Sequence, residues 1–433
     1  MKNQQLAING GPPVHPGAPI PLTKVCWDER EQSAVQRVFE SGIFCSAFDE
    51  AIEVKMLEEK FAQHVGACHA VAFNSGTTAQ HAALVALGIG PADEVIVPPL
   101  TFISTAYTVL IAGAVPVFAD VCRDTITIDP QDIEKKITPR TKAIVPVHWL
   151  GHPADMEAIM KIAATRDLLV IEDCAHGPGI ALHGQQVGAR RRLSCSGVGS
   201  FGQIACWSLQ QTKMLTAAGE GGMATTNGED LAVRLRQVCD HGKDKDKKTS
   251  SDLVAPYRVT ALGNNYRLSE MHAAFACAQL SKLEDLMECR RAIYVALLER
   301  LWEIPGLEFQ VCRPGAKLSY YCFPVLFPQE SFSLPVGKIN AAMHAEGVAT
   351  HPIGLDELCH VHPLFTAGEG RATAPAFQFR SDASIPPYGW GTLPVAEKIA
   401  DELLVLPMHP ELSEQDLDDI VEAVRKVAGA YQR

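Results

Sequence analysis

The chain has 433 residues, of which 47% are hydrophobic and 20% are charged, and its formal net charge at pH 7 is −12. This length predicts more than one core, and the negative charge disfavours a nucleic acid or an anionic membrane as a partner. The first residues, MKNQQLAINGG, lack the long apolar core of a signal peptide, so we expect a cytoplasmic protein that binds no nucleic acid and no membrane.

The 13 cysteines stand singly and form no CxxC pair, which disfavours a disulfide framework or a zinc ribbon. His148 and His152 are four residues apart, but Gly151 and Pro153 argue against a continuous helix that would align them as ligands. We therefore predict no metal site.

The first 21 residues are rich in glycine and proline, and few of them favour a helix or a strand. We expect an extended arm over residues 1–21 that packs on another surface, often that of a second subunit. Helical spacing then covers residues 28–41, with Gly42 as a stop, and a second helix is predicted at about 48–65.

Strands and helices then alternate, which predicts an α/β domain. The predicted strands are apolar runs without polar alternation, a pattern typical of a mostly parallel sheet that is covered on both faces. They lie at residues 70–73, 94–98, 115–118, 142–147, 168–172, 204–209 and 222–226.

Several predicted strands end in polar residues. The first leads through NSGTT at 74–78 into a helix, whose free N–H groups suit an anion such as phosphate, although N-capping by Ser75 or Thr77 explains the same residues. Another ends in DCAH at 173–176, and a third leads into TF at 101–102. Because sites in α/β domains lie at the carboxyl ends of strands, these residues predict one site if they share an edge.

Lys213 follows the predicted strand 204–209 and precedes a glycine-rich turn, among glutamine, threonine and serine. A lysine in such a place can form a Schiff base with an aldehyde cofactor or a carbonyl substrate, provided that its amine is neutral. A solvated loop lysine explains this stretch equally well.

From about residue 284 the pattern changes to a mixture of helices and strands, which predicts a second, smaller domain. We predict a strand at 319–327, helices at 336–346, 397–405 and 413–427, and a loop at 366–392. The predicted division is an arm (1–21), a large domain (22–285) and a small carboxyl-terminal domain (286–433).

Eight motifs, in order along the chain, resemble those of the DegT/DnrJ/EryC1/StrS family of pyridoxal 5'-phosphate (PLP) aminotransferases, which act on keto-sugars and keto-cyclitols. They are SGTTA at 75, VPPLTFISTA at 97, VPVHWLGHPADM at 145, EDCAH at 172, WSLQQTK at 207, GEGG at 219, GNNYR at 263 and LPMHPEL at 406. The resemblance implies an α/β fold of PLP-dependent transferase fold type I, which is aspartate aminotransferase-like. In this fold a large domain with a mostly parallel sheet is joined to a smaller α/β domain.

The resemblance also implies roles for individual residues. Lys213 matches the lysine that holds PLP as a Schiff base and then moves the proton during transfer. Asp173 matches the carboxylate that keeps the pyridine nitrogen protonated, so that the ring remains an electron sink. The sugar 3-dehydrases of the family carry histidine in place of this lysine, so transamination stays available here.

The remaining cofactor residues are implied in the same way. Gly76, Thr77 and Ser208 match phosphate-binding positions. Phe102 matches the ring that stacks on PLP, although a core phenylalanine is the alternative, and His176 matches a residue near PLP. Asn265 matches an asparagine that reaches the phosphate from the neighbouring subunit, which implies a homodimer whose sites are completed in trans.

The substrate is predicted only by class. Gln210 and Gln211 and the arm sequence LAINGGPPV resemble the glutamine:scyllo-inosose aminotransferases, and the two glutamines can hydrogen-bond a polyol. We expect transfer from glutamine or glutamate to a keto-cyclitol or keto-sugar. A PLP-dependent dehydratase or aromatising enzyme of the 3-amino-5-hydroxybenzoate synthase type, and a non-catalytic PLP-fold regulatory protein, are the alternatives. The chain departs from the family in a longer stretch at 189–200 and in one extra residue at 216–218.

Overall fold

The computed structural model describes residues 5–187, 201–244, 258–353, 358–366, 374–378 and 385–433. The longer stretch predicted at 189–200 lies outside the described residues. Among the described residues, no helix combines the length and the apolar character that crossing a membrane requires.

A seven-stranded sheet forms the centre of the larger part of the chain. Its strands are β1 (His69–Phe73), β2 (Glu94–Val97), β3 (Val115–Phe118), β4 (Thr141–Ile144), β5 (Leu169–Asp173), β6 (Ile204–Ser208) and β7 (Gly222–Thr226). They lie in the order β1-β7-β6-β5-β4-β2-β3, and only β7 runs antiparallel to its neighbours. The prediction of a mostly parallel sheet is confirmed.

The helices lie on both faces of this sheet and around a second sheet. They are α1 (Glu29–Ser41), α2 (Glu53–Val65), α3 (Gly76–Ala86), α4 (Ser104–Ile111), α5 (Pro130–Lys136), α6 (Met156–Arg166), α7 (Glu229–Cys239), α8 (Glu270–Ser281), α9 (Leu283–Leu301), α10 (Val336–Ala345), α11 (Pro363–Thr366), α12 (Pro375–Gln378), α13 (Pro394–Ala400) and α14 (Glu414–Tyr431). Capping residues in the sequence determine where several of these helices begin and end. Asp28 and Glu31 form a capping box at the start of α1, and Gly42 ends it at φ 68°.

The second sheet is antiparallel and has four strands. In chain order they are β8 (Glu308–Phe309), β9 (Phe323–Leu326), β10 (His351–Pro352) and β11 (Leu403–Leu406), and β11 lies between β9 and β10. Helices α9, α10 and α14 contribute to its core, as does the amino-terminal arm through Leu6 and Ile20. The start of α9 packs instead against the core of the larger sheet, through Leu283 and Met287. This helix therefore connects the two cores, and the predicted division at 285/286 falls in its first turn.

Two predicted elements of the second sheet were placed wrongly. The helix predicted at 397–405 is wrong in its second half, because Leu403–Leu406 is a buried strand paired on both edges. A four-residue apolar run fits helical and extended spacing alike, and only its two partner strands decide between them. The strand predicted at 319–327 is shorter, at Phe323–Leu326, because Tyr320 has a left-handed φ of 55° that breaks the extended chain.

Candidate active site

A cavity of about 510 Å³ lies at the edge of the larger sheet where β1, β2, β5 and β6 end. These four strands are parallel, so the residues that follow them meet at one edge. Leu22 and Thr23, which directly follow the arm, contribute to the wall, and the second sheet and its flanks contribute Tyr321 and Met408. The volume is that of a small-molecule site.

The start of α3 forms one end of the cavity. Ser75 caps the helix, since its Oγ accepts a hydrogen bond from the N–H of Thr78 at 3.1 Å. A Cβ on Gly76 would lie 3.0 Å from the Cβ of Ser208 and 3.2 Å from its Cα, so the helix start approaches the end of β6 closely. Gly76, Thr77 and Ser208 all line the cavity. Because first-turn N–H groups lack partners within the helix, these elements form a cradle for an anion.

Asp173, the last residue of β5, is buried with 3% of its surface exposed. Its Oδ2 accepts hydrogen bonds from Gln80 Nε2 at 2.5 Å and from Thr105 Oγ1 at 2.7 Å. Its Oδ1 accepts from the N–H of Ala175 at 3.0 Å. These three hydrogen bonds fix the orientation of the buried carboxylate.

Lys213 lies against a group of three stacked rings. Its Nζ is 2.9 Å from His176 Nε2, 3.5 Å from the Tyr321 hydroxyl and 4.9 Å from the centre of the Tyr321 ring. The His176 ring stacks on Tyr321 at 3.9 Å between centroids and packs on Trp149 at 5.0 Å. Burial, with a smaller effect of the Lys213 charge, holds the pKa of His176 well below its usual value. The imidazole is therefore neutral beside the lysine.

The structure brings most of the predicted residues together. Those that line the cavity are Gly76, Thr77, Phe102, Asp173, His176, Ser208, Gln210 and Lys213. Gln211 and Asn265 are exposed and do not line it, so the predicted substrate contact of Gln211 has no support from its position. The oxygen of Gln210 accepts hydrogen bonds from the N–H and the hydroxyl of Thr212 at 2.6 and 2.7 Å, so only its amide nitrogen can donate to a ligand.

Sequence reasoning missed four residues of this site: Gln80, Thr105, Trp149 and Tyr321. Gln80 lies four residues after Gly76 on the same helix, and this spacing could have pointed to it. Thr105 and Trp149 stand inside motifs that carried the resemblance, but nothing local marked them. Tyr321 comes from the other side of the cavity, about 108 positions from Lys213, and only the tertiary fold reveals it.

A buried group of His148, Glu172 and Cys174 has the composition of a metal site. Two of its side chains already use the atoms that an ion would need. His148 Nδ1 accepts from the N–H of Ala154 at 3.2 Å, and its Nε2 lies 3.2 Å from Glu172 Oε2. Glu172 Oε1 accepts from the N–H of Gly202 at 2.9 Å. We interpret this group as a hydrogen-bonded support beneath β5.

Comparison with known proteins decides the family. The model of the DegT/DnrJ/EryC1/StrS aminotransferase family matches residues 25–425. The chain belongs to this family. It is therefore a PLP-dependent aminotransferase, and the predicted fold type I is confirmed.

Three relatives illustrate how far the similarity extends. The spore coat polysaccharide biosynthesis protein SpsC of Bacillus subtilis is 35% identical over 413 residues, which are 94% of this chain and 97% of SpsC. The aminotransferase from Psychrobacter cryohalolentis is 30% identical with a TM-score of 0.82, over 95% of this chain and all of that one. DesI, solved in the presence of its TDP-sugar product, is 25% identical with a TM-score of 0.78, over 98% of this chain and 96% of DesI.

The residues of the cavity fit the cofactor of this aminotransferase family. Gly76 borders a cradle that a larger residue would fill, at the place where a phosphate can be bound. Among the described residues, three buried atoms of cavity-lining side chains lack a hydrogen-bond partner: Gln80 Oε1, Trp149 Nε1 and His176 Nδ1. Buried polar atoms are normally paired, so these three suit a polar ligand.

Proposed function

We propose that this aminotransferase moves an amino group from glutamine or glutamate to the ketone carbon of a sugar or cyclitol, with PLP held in the cavity. The observation that carries the proposal is the meeting of Lys213, the buried Asp173 and the start of α3 around one cavity. The TDP-sugar product of DesI and the role of SpsC in polysaccharide biosynthesis support a carbohydrate as the acceptor.

Each residue has a role that follows from its position. Bound PLP supplies an electron-poor ring that stabilises negative charge on the carbon next to the amine. Asp173 holds a proton at the ring nitrogen, and Gln80 and Thr105 orient its carboxylate. Lys213 Nζ would accept the proton from the amine-bearing carbon of the donor and return it to the cofactor carbon on the other side of that nitrogen, as a general base and then a general acid.

The phosphate is bound by the cradle of Gly76, Thr77 and Ser208. Phe102, whose surface is 61% exposed and which lines the cavity, would hold the cofactor ring by stacking. His176 would hydrogen-bond the cofactor through Nδ1, which has no partner in the described chain.

We further propose a homodimer in which Asn265 completes the neighbouring site. Asn265 is exposed and lies outside the cavity of its own chain, as a residue that acts in trans must. Large apolar side chains near the start of the chain are also exposed by 45–63%, which suits burial by a second copy: Trp27, Phe39, Phe44, Phe48 and Ile52.

The first test is the visible absorption spectrum of the purified protein with PLP, before and after L-glutamine and L-glutamate are added separately. We expect a band of protein-bound PLP that one donor bleaches and that is absent in Lys213→Ala. Lys338→Ala, which removes an exposed lysine on α10, is the matched control. Absence of the band in the wild-type protein after incubation with PLP would refute the proposal.

The acceptor is tested with 15N-labelled donor and two ketones, scyllo-inosose and a nucleotide-linked keto-sugar, with the product identified by mass spectrometry. Incorporation of one 15N atom into either ketone supports the proposal and names the branch. Turnover of a substrate without any amino donor would instead support the dehydratase alternative. A cofactor band that neither donor bleaches would also favour the dehydratase alternative, whereas a protein without the visible absorption of the cofactor would support the regulatory alternative.

The role of Asn265 in trans is tested by mixing subunits. Lys213→Ala and Asn265→Ala homodimers should each be inactive or impaired, and both are unfolded and refolded together. If Asn265 acts in trans, the mixed dimer contains one intact site, and activity returns. If Asn265 acts within its own subunit, every site of the mixed dimer carries a defect, and activity does not return.

A further inference from the structure

Arg290, in the middle of α9, is a buried cation with 5% of its surface exposed. Within the part of the chain that the structure describes, it forms no ion pair with a carboxylate. Its Nη1 instead faces three backbone carbonyls, Met408 O at 2.9 Å, Tyr321 O at 3.2 Å and Tyr320 O at 3.4 Å. Burying a charge costs free energy unless hydrogen bonds compensate it, so these three carbonyls are what keeps this guanidinium in place.

The three carbonyls belong to two segments that reach the cavity. Tyr321 and Met408 both line it, and the N–H of Met408 donates to the carbonyl of Leu22, which directly follows the arm and lines the cavity too. Arg290 thus ties together, at one point, the chain segments that close the cavity opposite the sheet edge.

The segment around Tyr320 is strained, and it is held from both sides. Tyr320 has φ 55°, a left-handed conformation that is strained for a residue other than glycine. On the other side, the N–H of Ser319 donates to Gly151 O at 3.0 Å, and a Cβ on Gly151 would lie 3.1 Å from the nitrogen of Tyr321. Strain of this kind persists where the surroundings enforce it, and such places are frequently functional.

We propose that Arg290 is a positioning residue for amino transfer, which acts by fixing the Tyr321 ring against Lys213 and His176. The inference rests on the proposed function, in which Lys213 Nζ moves the proton. The Tyr321 ring lies on one side of that nitrogen and stacks on His176, so it limits where the amine can point. Displacement of the segment would let Lys213 leave the line along which it transfers the proton.

An arginine suits this role better than a lysine does. The N–H groups of Nη1 lie in the rigid plane of the guanidinium and donate toward these carbonyls in fixed directions, whereas the rotating ammonium of a lysine holds them less rigidly. Arg290→Lys keeps the charge and most of the side-chain volume, so it mainly removes the fixed directions of the hydrogen bonds to the three carbonyls. Arg290→Gln keeps amide donors without the charge and serves as the second variant if the lysine variant does not fold.

The test is a double-mutant cycle on the rate at which the donor amino acid bleaches the PLP band. We expect Arg290→Lys to lower this rate by on the order of ten- to hundredfold, as a displaced catalytic geometry does. In the Tyr321→Leu background the same change should have less than about a twofold effect, because Arg290 acts through Tyr321. Arg291→Lys, on the exposed neighbour paired with Glu288, is the control and should match the wild type. Effects of Arg290→Lys and Tyr321→Leu that multiply fully would overturn the inference.

A second readout needs no catalysis. In protein freed of PLP, acetylation of Lys213 is quantified by peptide mass spectrometry relative to the exposed Lys338. Loss of the ring cover should raise this ratio several-fold in both Arg290→Lys and Tyr321→Leu. An unchanged ratio in Arg290→Lys would contradict the inference.

Failure of this inference differs from failure of the proposed function. Borohydride treatment of the wild-type protein with PLP should leave a phosphopyridoxyl group on Lys213. If it does not, the proposed function is wrong. If it does, and Arg290→Lys matches the wild type in rate and acetylation, only the role of Arg290 is wrong.

Discussion

His152 should make this protein unstable in acid, in a way that one substitution can reveal. The side chain is fully buried, its Nδ1–H donates to Pro153 O at 2.8 Å, and its Nε2 accepts from the N–H of Arg313 at 3.1 Å. Both nitrogens are therefore used by the neutral ring, and protonation would place a second N–H against the N–H of Arg313. Burial, with a smaller effect of the Arg313 charge, lowers the pKa of His152 to about 4.

The magnitude follows from the difference between the two states. The unfolded chain binds a proton at this histidine below pH about 6.5, whereas the folded chain binds it only below about 4. Between these values unfolding takes up a proton, so the free energy of unfolding falls as the pH falls. A difference of about 2.5 pKa units corresponds to about 3 kcal/mol of stability, which is fully present above pH 6.5 and is lost as the pH falls to about 4.

The assay is urea denaturation of the wild type and His152→Gln at a series of pH values from 7 to 4.5. Glutamine can still donate and accept but does not titrate, so the variant should lose less stability across this range. The difference between the two proteins should shrink by up to about 3 kcal/mol. His69→Gln, at the partly exposed start of β1, controls for the loss of an imidazole in general. Parallel losses in the wild type and His152→Gln would refute the burial argument.

Three further predictions concern other parts of the chain. Gly76→Ala pushes a Cβ against Ser208, so the dissociation constant for PLP should rise by about tenfold in a spectroscopic titration, whereas Gly337→Ala, which meets open space, should leave it unchanged. Ala218→Gly relieves a left-handed φ of 57° at the extra residue before GEGG, and should raise the free energy of unfolding by about 0.5–1 kcal/mol in urea; a decrease would contradict the strain. Glu346→Leu removes a buried carboxylate that accepts from Lys426 and from two arm N–H groups, and it leaves that lysine without a carboxylate, although the lysine still donates to the carbonyl of Pro12. Hydrogen exchange in the arm should accelerate, with a loss of about 3–5 kcal/mol in stability, and unchanged exchange would show that other contacts hold the arm.

The most successful predictions from the sequence concerned residues whose position in the fold depends only on the strand that precedes them. Asp173 and Lys213 each follow an apolar run, and the parallel order of those strands brings their ends to one edge whatever the loops do. The start of α3 could be predicted in the same way, because small polar residues between a strand and a helix usually form the first turn of that helix. This is why most of the predicted cofactor residues line one cavity.

Predictions were weakest where contacts with distant parts of the chain determine the local structure. The spacing of Leu403–Leu406 fits the end of a helix, but these residues form a strand because they pair with one strand on each edge. Gln211 stands next to Gln210 in the chain, but of the two only Gln210 lines the cavity, so a substrate contact of Gln211 stays a prediction. The sequence alone determines the parallel sheet and the residues at the ends of its strands. The reason is that the local apolar runs can only be buried on both faces. Tyr321 against Lys213, and the buried Arg290 that holds Tyr321, depend on segments far apart in the chain that meet at distances of 3–5 Å, and only the tertiary structure decides such contacts.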